Sequence, residues 1–275
     1  MPLKWYNHPK EFLEACGPFL EAHEMEHNMM LGNCYNAISG NKSLDGCYFL
    51  SSSEEGAIRD FSIKVSPKVI LSCKNKKAVE AIYHFYQGNN IPFKGVIGDP
   101  PSSAVFAECS SLKVLQQKNT LVQGLSKVNE LHLSQGTFEP CRLTDIPVLK
   151  KWAAGFLEEE NLFPKRSHSE VETVVKDLMM QGNLFSWRHN GRVVSMSAII
   201  RKTRHSSIIG FVYTPPEERG KGFGKSCVHQ LSDYILRSGF KESGLLVYGT
   251  NTIARKIYEQ IGYKTVSELL DIDFE

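Results

Sequence analysis

Between Ser207 and Leu236 the chain must pass from a buried strand through a glycine-rich turn into an amphipathic helix, a passage that few folds accommodate. Ser207 to Val212 is apolar enough for a buried strand, and Pro215-Pro216 ends it. Lys225 to Leu236 then repeats apolar residues at Val228, Leu231 and Ile235 with helical spacing. In between, Gly220, Gly222 and Gly224 let the backbone approach a ligand and aim successive N–H groups one way. Backed by the positive end of the helix dipole, such amides seat a phosphate or pyrophosphate. The sequence therefore predicts a phosphate-bearing ligand.

Spacing excludes two familiar phosphate loops. Gly224-Lys225-Ser226 supplies the end of a Walker A loop, but Arg219 stands where its first glycine belongs. The dinucleotide fingerprint fails because Lys225 and Cys227 occupy the positions of its third glycine. What remains, Arg-x-x-Gly-x-Gly from Arg219 to Gly224, resembles the acyl-CoA pyrophosphate motif of the GNAT superfamily of N-acetyltransferases. A second stretch, Asn251 to Tyr263, resembles that superfamily's Asn-x-x-Ala-x-x-x-Tyr-x-x-x-Gly-Phe/Tyr pattern through Asn251, Ala254, Tyr258, Gly262 and Tyr263. Ala254 and Tyr258 lie four apart and share one helical face, while Gly262 lets the backbone leave the helix.

The resemblance implies acetyl-CoA as co-substrate, held by the strand end at Val212, Tyr213 and Thr214, by the turn residues Arg219, Gly220, Lys221, Gly222, Phe223, Gly224 and Lys225, and by Asn251, Ala254 and Tyr258. It gives Tyr258 the role of proton donor to the leaving thiolate, and a main-chain amide at Val212 or Tyr213 the polarisation of the carbonyl. The acceptor it implies is a small-molecule or peptide amine. An alkylammonium titrates near ~10.4, so a base or water chain must take a proton before attack. The sequence does not identify that base. Glu158-Glu159-Glu160, at a helix end where the dipole disfavours negative charge, could attract a cationic amine or be a solvated helix end.

A 275-residue chain suits two ordinary domains, and 41 % hydrophobic with 23 % charged residues is a globular balance. A net charge of +2 without a basic block speaks against nucleic acid as main partner. No run approaches a membrane span and Met1 to Tyr6 lacks the apolar core of a signal peptide, so a cytoplasmic protein is expected. Seven scattered cysteines without a Cys-x-x-Cys pair suit reduced core thiols. A homodimer stays open.

Taken in order, residues 1–133 read as an α+β unit. A helical pattern from Pro9 to Ile38 is broken at Gly17-Pro18, strands follow at Cys47 to Ser51, Ala57 to Val65 and Lys68 to Ser72, and a helix runs from Asn75 to Gln87. A strand at Phe93 to Ile97, a helix near Val105 to Leu112 and a strand at Thr120 to Val128 complete it. Residues 134–275 read as strand Phe138 to Leu143, helices Ile146 to Glu160 and Ser169 to Gln181 split at Pro164, and strands Leu184 to His189 and Arg192 to Arg201 joined by an Asn190-Gly191 hairpin turn. The phosphate-binding passage, strand Ser243 to Tyr248, a helix to Ile261 and a closing strand Tyr263 to Phe274 follow. This order is similar to the whole GNAT fold, an α+β architecture with a mixed central sheet flanked by helices. The first unit resembles a degenerate GNAT-like half without the glycine turn, Gly95 to Pro100 being its nearest equivalent.

Two other functions remain open: a CoA-binding sensor or regulatory protein without turnover, and a zinc hydrolase. The second rests on His23-Glu24-Met25-Glu26-His27, which matches His-Glu-x-x-His and, on a helix, would present two metal ligands on one face. It lacks the metzincin continuation, and a polar helix face without metal is the expectation.

Overall fold

The computed structural model describes residues 2–40, 43–54, 56–65, 67–161 and 167–275. They divide into two compact units: Met1–Gln123 with Val247–Asn251 and Thr265–Glu275, and Gly124–Leu246 with Thr252–Lys264.

The first unit opens with a short strand β1 (Leu3–Tyr6), then α1 (Pro9–Ala22) and α2 (Asn28–Ile38). The meander is β2 (Tyr48–Glu54), β3 (Ala57–Lys64) and β4 (Lys68–Ser72). Helix α3 (Lys76–Gly88) crosses to β5 (Gly95–Gly98), which runs parallel to β4 with Lys68 opposite Gly95. Helix α4 (Pro100–Ser110) and strand β6 (Val114–Leu125) follow. Because successive strand side chains point to opposite faces, neighbours serve different cores. Phe49, Ile70 and Ile97 pack with Phe12, Leu20 and Leu31 of α1 and α2, whereas Leu50, Val69 and Val96 pack with Val79, Ile82 and Tyr86 of α3 and with Phe106 of α4.

The second unit comprises β7 (Thr137–Pro140), α5 (Ile146–Glu159), α6 (His168–Met180), β8 (Leu184–His189), β9 (Arg192–Lys202), β10 (Ser206–Tyr213), α7 (Phe223–Arg237), β11 (Glu242–Tyr248) and α8 (Thr252–Ile261). Its strands are ordered β11-β10-β9-β8-β7, with β10 parallel to β11 and the others antiparallel. Helices α5 and α6 cover one face through Leu149, Trp152, Ala153 and Val175, packed with Leu184, Met196 and Tyr213. On another cluster Phe223 and Cys227 of α7 meet Trp187 and Val194. The turn between β8 and β9 has Asn190 at φ 48° and Gly191 at φ 74°, the type I′ geometry expected of Asn-Gly.

Two expectations need correction. Gly17-Pro18 does not break the first helix: α1 runs through Pro18, because Phe12, Cys16 and Leu20 on the same face are buried in the core and outweigh one lost backbone bond. The interruption falls instead at residues 23–27, a run of turns. The last strand, β12 (Lys264–Phe274), does not close the second unit's sheet. It pairs antiparallel with β5, Ile97 opposite Asp271, and completes the first unit's order β1-β2-β3-β4-β5-β12-β6. Asp145 stands at the start of α5 but caps no helix amide; its carboxylate takes the Arg142 amide at 2.7 Å and the Arg188 guanidinium. The Pro164 break lies outside the described residues.

Candidate functional site

The passage from β10 into α7 is built as its glycines demand. Gly220 (φ +76°) and Gly222 (φ +79°) are both left-handed, and Gly222 is the residue before the first turn of α7, where no side chain caps the helix. A Cβ on Gly222 would lie 2.6 Å from the Ser134 hydroxyl. Gly224 is needed for space: its Cβ would stand 2.9 Å from Oγ1 of Thr214, which in turn hydrogen-bonds the Ser195 hydroxyl at 2.9 Å. The amides of Phe223, Gly224 and Lys225 sit in the first turn of α7, where the helix has no carbonyl to offer them. The Phe223 side chain itself is core, buried beside Trp187, so only its backbone is at the turn's surface.

Side chains fix this turn, and one of them, Ser134, sequence reasoning missed. Ser134 donates its hydroxyl to the Lys221 carbonyl at 2.7 Å and its amide to Ser226 Oγ at 2.9 Å. Arg219 donates through Nε to the Thr214 carbonyl at 2.8 Å and through Nη2 to both oxygens of Glu159 at 2.7 and 2.8 Å, its guanidinium 5.6 Å from the Tyr213 ring centre. Lys221 turns back onto Glu218 at 2.8 Å. Glu159, one of three carboxylates whose place at a helix end looked unfavourable, thus has a partner sixty positions along the chain, and its Oε1 also accepts from the Tyr213 hydroxyl at 3.3 Å. Burial, then the Glu159 charge, raises the Tyr213 phenol above its ordinary value.

Strand β10 is irregular where a main-chain donor was expected. Between Gly210, opposite Ala198, and Tyr213, opposite Met196, three steps on β10 face two on β9. The extra residue is a bulge that takes Phe211 and Val212 out of the ladder. Phe211 sits at φ +49°, a left-handed conformation that costs a bulky residue roughly 1–2 kcal/mol. Its ring packs 5.1 Å from that of Phe156 in α5.

The second motif lies beside the first. Lys225 of α7 reaches Gln260 of α8 at 3.5 Å, and Asn129 ties both helices, donating to the Ile261 and Gln260 carbonyls and accepting from His229. Gly262, at φ +118°, ends α8 as expected, its amide bonding back to Tyr258 O. Asn251 and Ala254 stand just before and within the first turn of α8. Tyr258 and Tyr263 have rings 5.9 Å apart but opposite roles. The Tyr263 hydroxyl is used twice, at 2.7 Å to Ser232 and 2.8 Å to Ser243, whereas among the described residues none hydrogen-bonds the Tyr258 hydroxyl. Burial, then Tyr263 and Glu160, raises the Tyr258 phenol, so it keeps its proton at neutral pH.

Next to Tyr213 an open pocket of about 720 Å³ is lined by Lys150, Trp152 and Gly155 of α5, by Glu172 of α6 and by Pro215 to Glu217. Glu158 lines it as well; Glu159 does not. Gly155 is there for room, since a Cβ would lie 2.7 Å from the Tyr213 hydroxyl.

The comparisons agree with this geometry. Residues 188–270, which span the glycine turn and α8, match the family model described as FR47-like protein. Over its whole length the chain superposes on a GNAT-family acetyltransferase from Colwellia psychrerythraea, at a TM-score of 0.60 and 12 % identity, covering 100 % of both chains. The fold is the GNAT fold. Two further GNAT structures show it in the same extent: a GCN5-related N-acetyltransferase from Sphaerobacter thermophilus (TM-score 0.64, 12 % identity, 99 % of this chain and 95 % of that one) and a tandem GNAT protein from the clavulanic acid biosynthesis pathway (0.57, 10 %, 98 % of each). A UPF0039 protein of Schizosaccharomyces pombe is 27 % identical over 116 residues, 41 % of this GNAT-fold chain and 75 % of the yeast one.

The His-Glu-x-x-His match is not presented on a helix. Residues 23–27 form turns rather than the helix the reading required, and among the described residues no group of three metal-ligating side chains comes together. Among the described residues no helix is long and apolar enough to cross a membrane.

Proposed function

We propose that the chain transfers an acetyl group from acetyl-CoA to a primary amine by direct attack, with the second unit, Gly124–Leu246 with Thr252–Lys264, as the acetyltransferase domain. The observation that carries this reading is the left-handed Gly220–Gly222 turn, which leads into α7 and leaves its first-turn amides without a side-chain cap. Such a cradle fits a pyrophosphate, through N–H donors and the dipole of α7. The co-substrate would bring the activated thioester.

This chain's own residues would do the rest. The amides around Lys221 to Lys225 bind the diphosphate, and the bulged backbone at Phe211 and Val212 offers an out-of-ladder N–H to a carbonyl oxygen that gains charge. Tyr258, neutral and with its hydroxyl uncommitted, donates a proton to the departing sulfur. The amine approaches from the pocket beside Tyr213, whose lining carries Glu158, Glu172 and Glu217 beside Lys150 and Lys151.

Thiol release from acetyl-CoA on adding amines, amino acids or peptides tests the reaction. Tyr258→Phe keeps the ring and should lower kcat by ~10²–10⁴-fold with CoA affinity and melting temperature almost unchanged. CoA binding with no thiol release for any amine would instead favour a sensor without turnover.

A further inference from the structure

Tyr213 lines the pocket beside α5 and is 9 % exposed. Trp152 holds its ring at 6.3 Å between centres, and the Arg219 guanidinium stands over the ring at 5.6 Å. The hydroxyl end rests on Gly155, where an added Cβ would come within 2.7 Å of the oxygen. Gly155 lines the same pocket, so the hydroxyl lies at its wall.

The hydroxyl proton is spent on Glu159 Oε1 at 3.3 Å, and among the described residues the hydroxyl has no other hydrogen-bond partner. A phenol whose proton is committed offers further partners only its lone pairs. The largest charges acting on it are Glu159, Arg219 and Glu217, in that order. Arg219 is matched by both oxygens of Glu159, which leaves the Glu217 carboxylate, in the pocket lining, unbalanced. Of the two ammonium groups in the lining, Lys150 is taken by Glu172 at 2.6 Å and Lys151 is exposed. Lone pairs beside an unbalanced negative charge select a cation that carries N–H groups. An anion meets like charge there, and a quaternary ammonium has nothing to donate. Tyr213 also stands directly after the bulge at Phe211 and Val212, so an amine held on its oxygen is near the backbone N–H to which acyl transfer assigns the carbonyl.

We propose that the Tyr213 hydroxyl oxygen is the docking point of the acceptor, accepting one N–H of a primary ammonium group. Glu159 and Gly155 are positioning residues: one turns the hydroxyl proton away from the pocket, the other lets the oxygen settle at its wall. That the docked amine is the acceptor rests on the acetyltransferase reading; the docking itself is tested without acetyl-CoA.

The whole chain is prepared with ¹³C-labelled tyrosine rings, and the Tyr213 signal is assigned by its loss in Tyr213→Phe. n-Hexylammonium chloride is titrated at constant ionic strength, with n-hexyltrimethylammonium chloride as control. A saturable shift at Tyr213 is expected with hexylammonium, at least about tenfold weaker with the quaternary ion, which lacks the N–H. By calorimetry Tyr213→Phe, which keeps the ring beside Trp152, should weaken hexylammonium roughly tenfold or more. Glu159→Leu releases the hydroxyl proton toward the pocket and should weaken binding about fivefold, whereas Glu159→Gln, whose amide oxygen takes that proton again, should restore it to within about twofold. The two Glu159 variants decide the matter if Tyr213→Phe does not fold. Absence of a saturable shift, equal binding of the two ammonium ions, undiminished affinity in folded Tyr213→Phe, or equal affinities in Glu159→Leu and Glu159→Gln overturns the proposal. Binding as expected in a chain that turns over no amine would uphold the docking and sink acyl transfer. Turnover with an unchanged amine KM in Tyr213→Phe would do the reverse.

Discussion

Each unit has a strand that enters a helix through a turn, and the two turns treat the helix amides in opposite ways. In the first unit, three residues, Cys73-Lys74-Asn75, join β4 to α3. The carboxylate of Asp60 accepts the Lys74 and Asn75 amides at 2.7 and 3.3 Å, and Asn75 caps Lys77 at 2.9 Å. Asp60 is 1 % exposed, so the negative charge that this helix start attracts is covalently part of the chain. In the second unit nine residues separate β10 from α7, two glycines turn left-handed, and Gly222 provides no cap. The same supersecondary unit thus serves structure when a carboxylate fills it and, in the proposed function, ligand binding when glycines leave it open.

The largest effect is expected from closing the open turn. Gly222→Val places a branched residue at φ +79° against Ser134, with backbone strain of about 1–3 kcal/mol and the loss of charge-assisted amide bonds of similar size. CoA affinity measured by calorimetry should fall about a hundredfold or more; wild-type affinity in a folded variant would show that the ligand sits elsewhere. Opening the closed turn should do less. Asp60→Ala leaves two amides without their acceptor, for a stability loss of about 1–3 kcal/mol in denaturant unfolding, while Asp60→Asn restores an acceptor and part of the loss. CoA stoichiometry should stay at one per chain in Asp60→Ala, because no left-handed glycine precedes α3. A second CoA bound there would make Asp60 alone the reason for the difference. The smallest effect belongs to Glu159→Gln. Its pair with Arg219 is half exposed, so a few-fold rise in the KM for acetyl-CoA with unchanged kcat is expected, diminishing as salt is raised.

The contrast also explains what the sequence could and could not disclose. Gly220, Gly222, Gly262 and Asn190-Gly191 announced their turns, because a left-handed backbone leaves few residue choices. The helix that carries Ala254 and Tyr258 and stops at Gly262 was legible through their spacing. Local signals failed where a distant partner decides. Nothing near Glu159 hints at Arg219, sixty positions on, and nothing near Asp60 hints that it meets the start of α3. Pro18 was misjudged since burial of Phe12, Cys16 and Leu20 outweighs a local preference, and residues 23–27 leave the helix although their side chains would tolerate one. The bulge at Phe211 has no sequence mark at all, a left-handed phenylalanine being held there by its packing on Phe156.

Strand β12 has a temporal meaning as well as a spatial one. Ile272 and Phe274 of β12 lie in the same core cluster as Leu50 and Val69, which leave the ribosome some two hundred residues earlier. A nascent first unit therefore waits, with one position in its sheet unfilled beside β5, until translation has passed through the second unit. A lesion within β12 is accordingly a lesion of the first domain made.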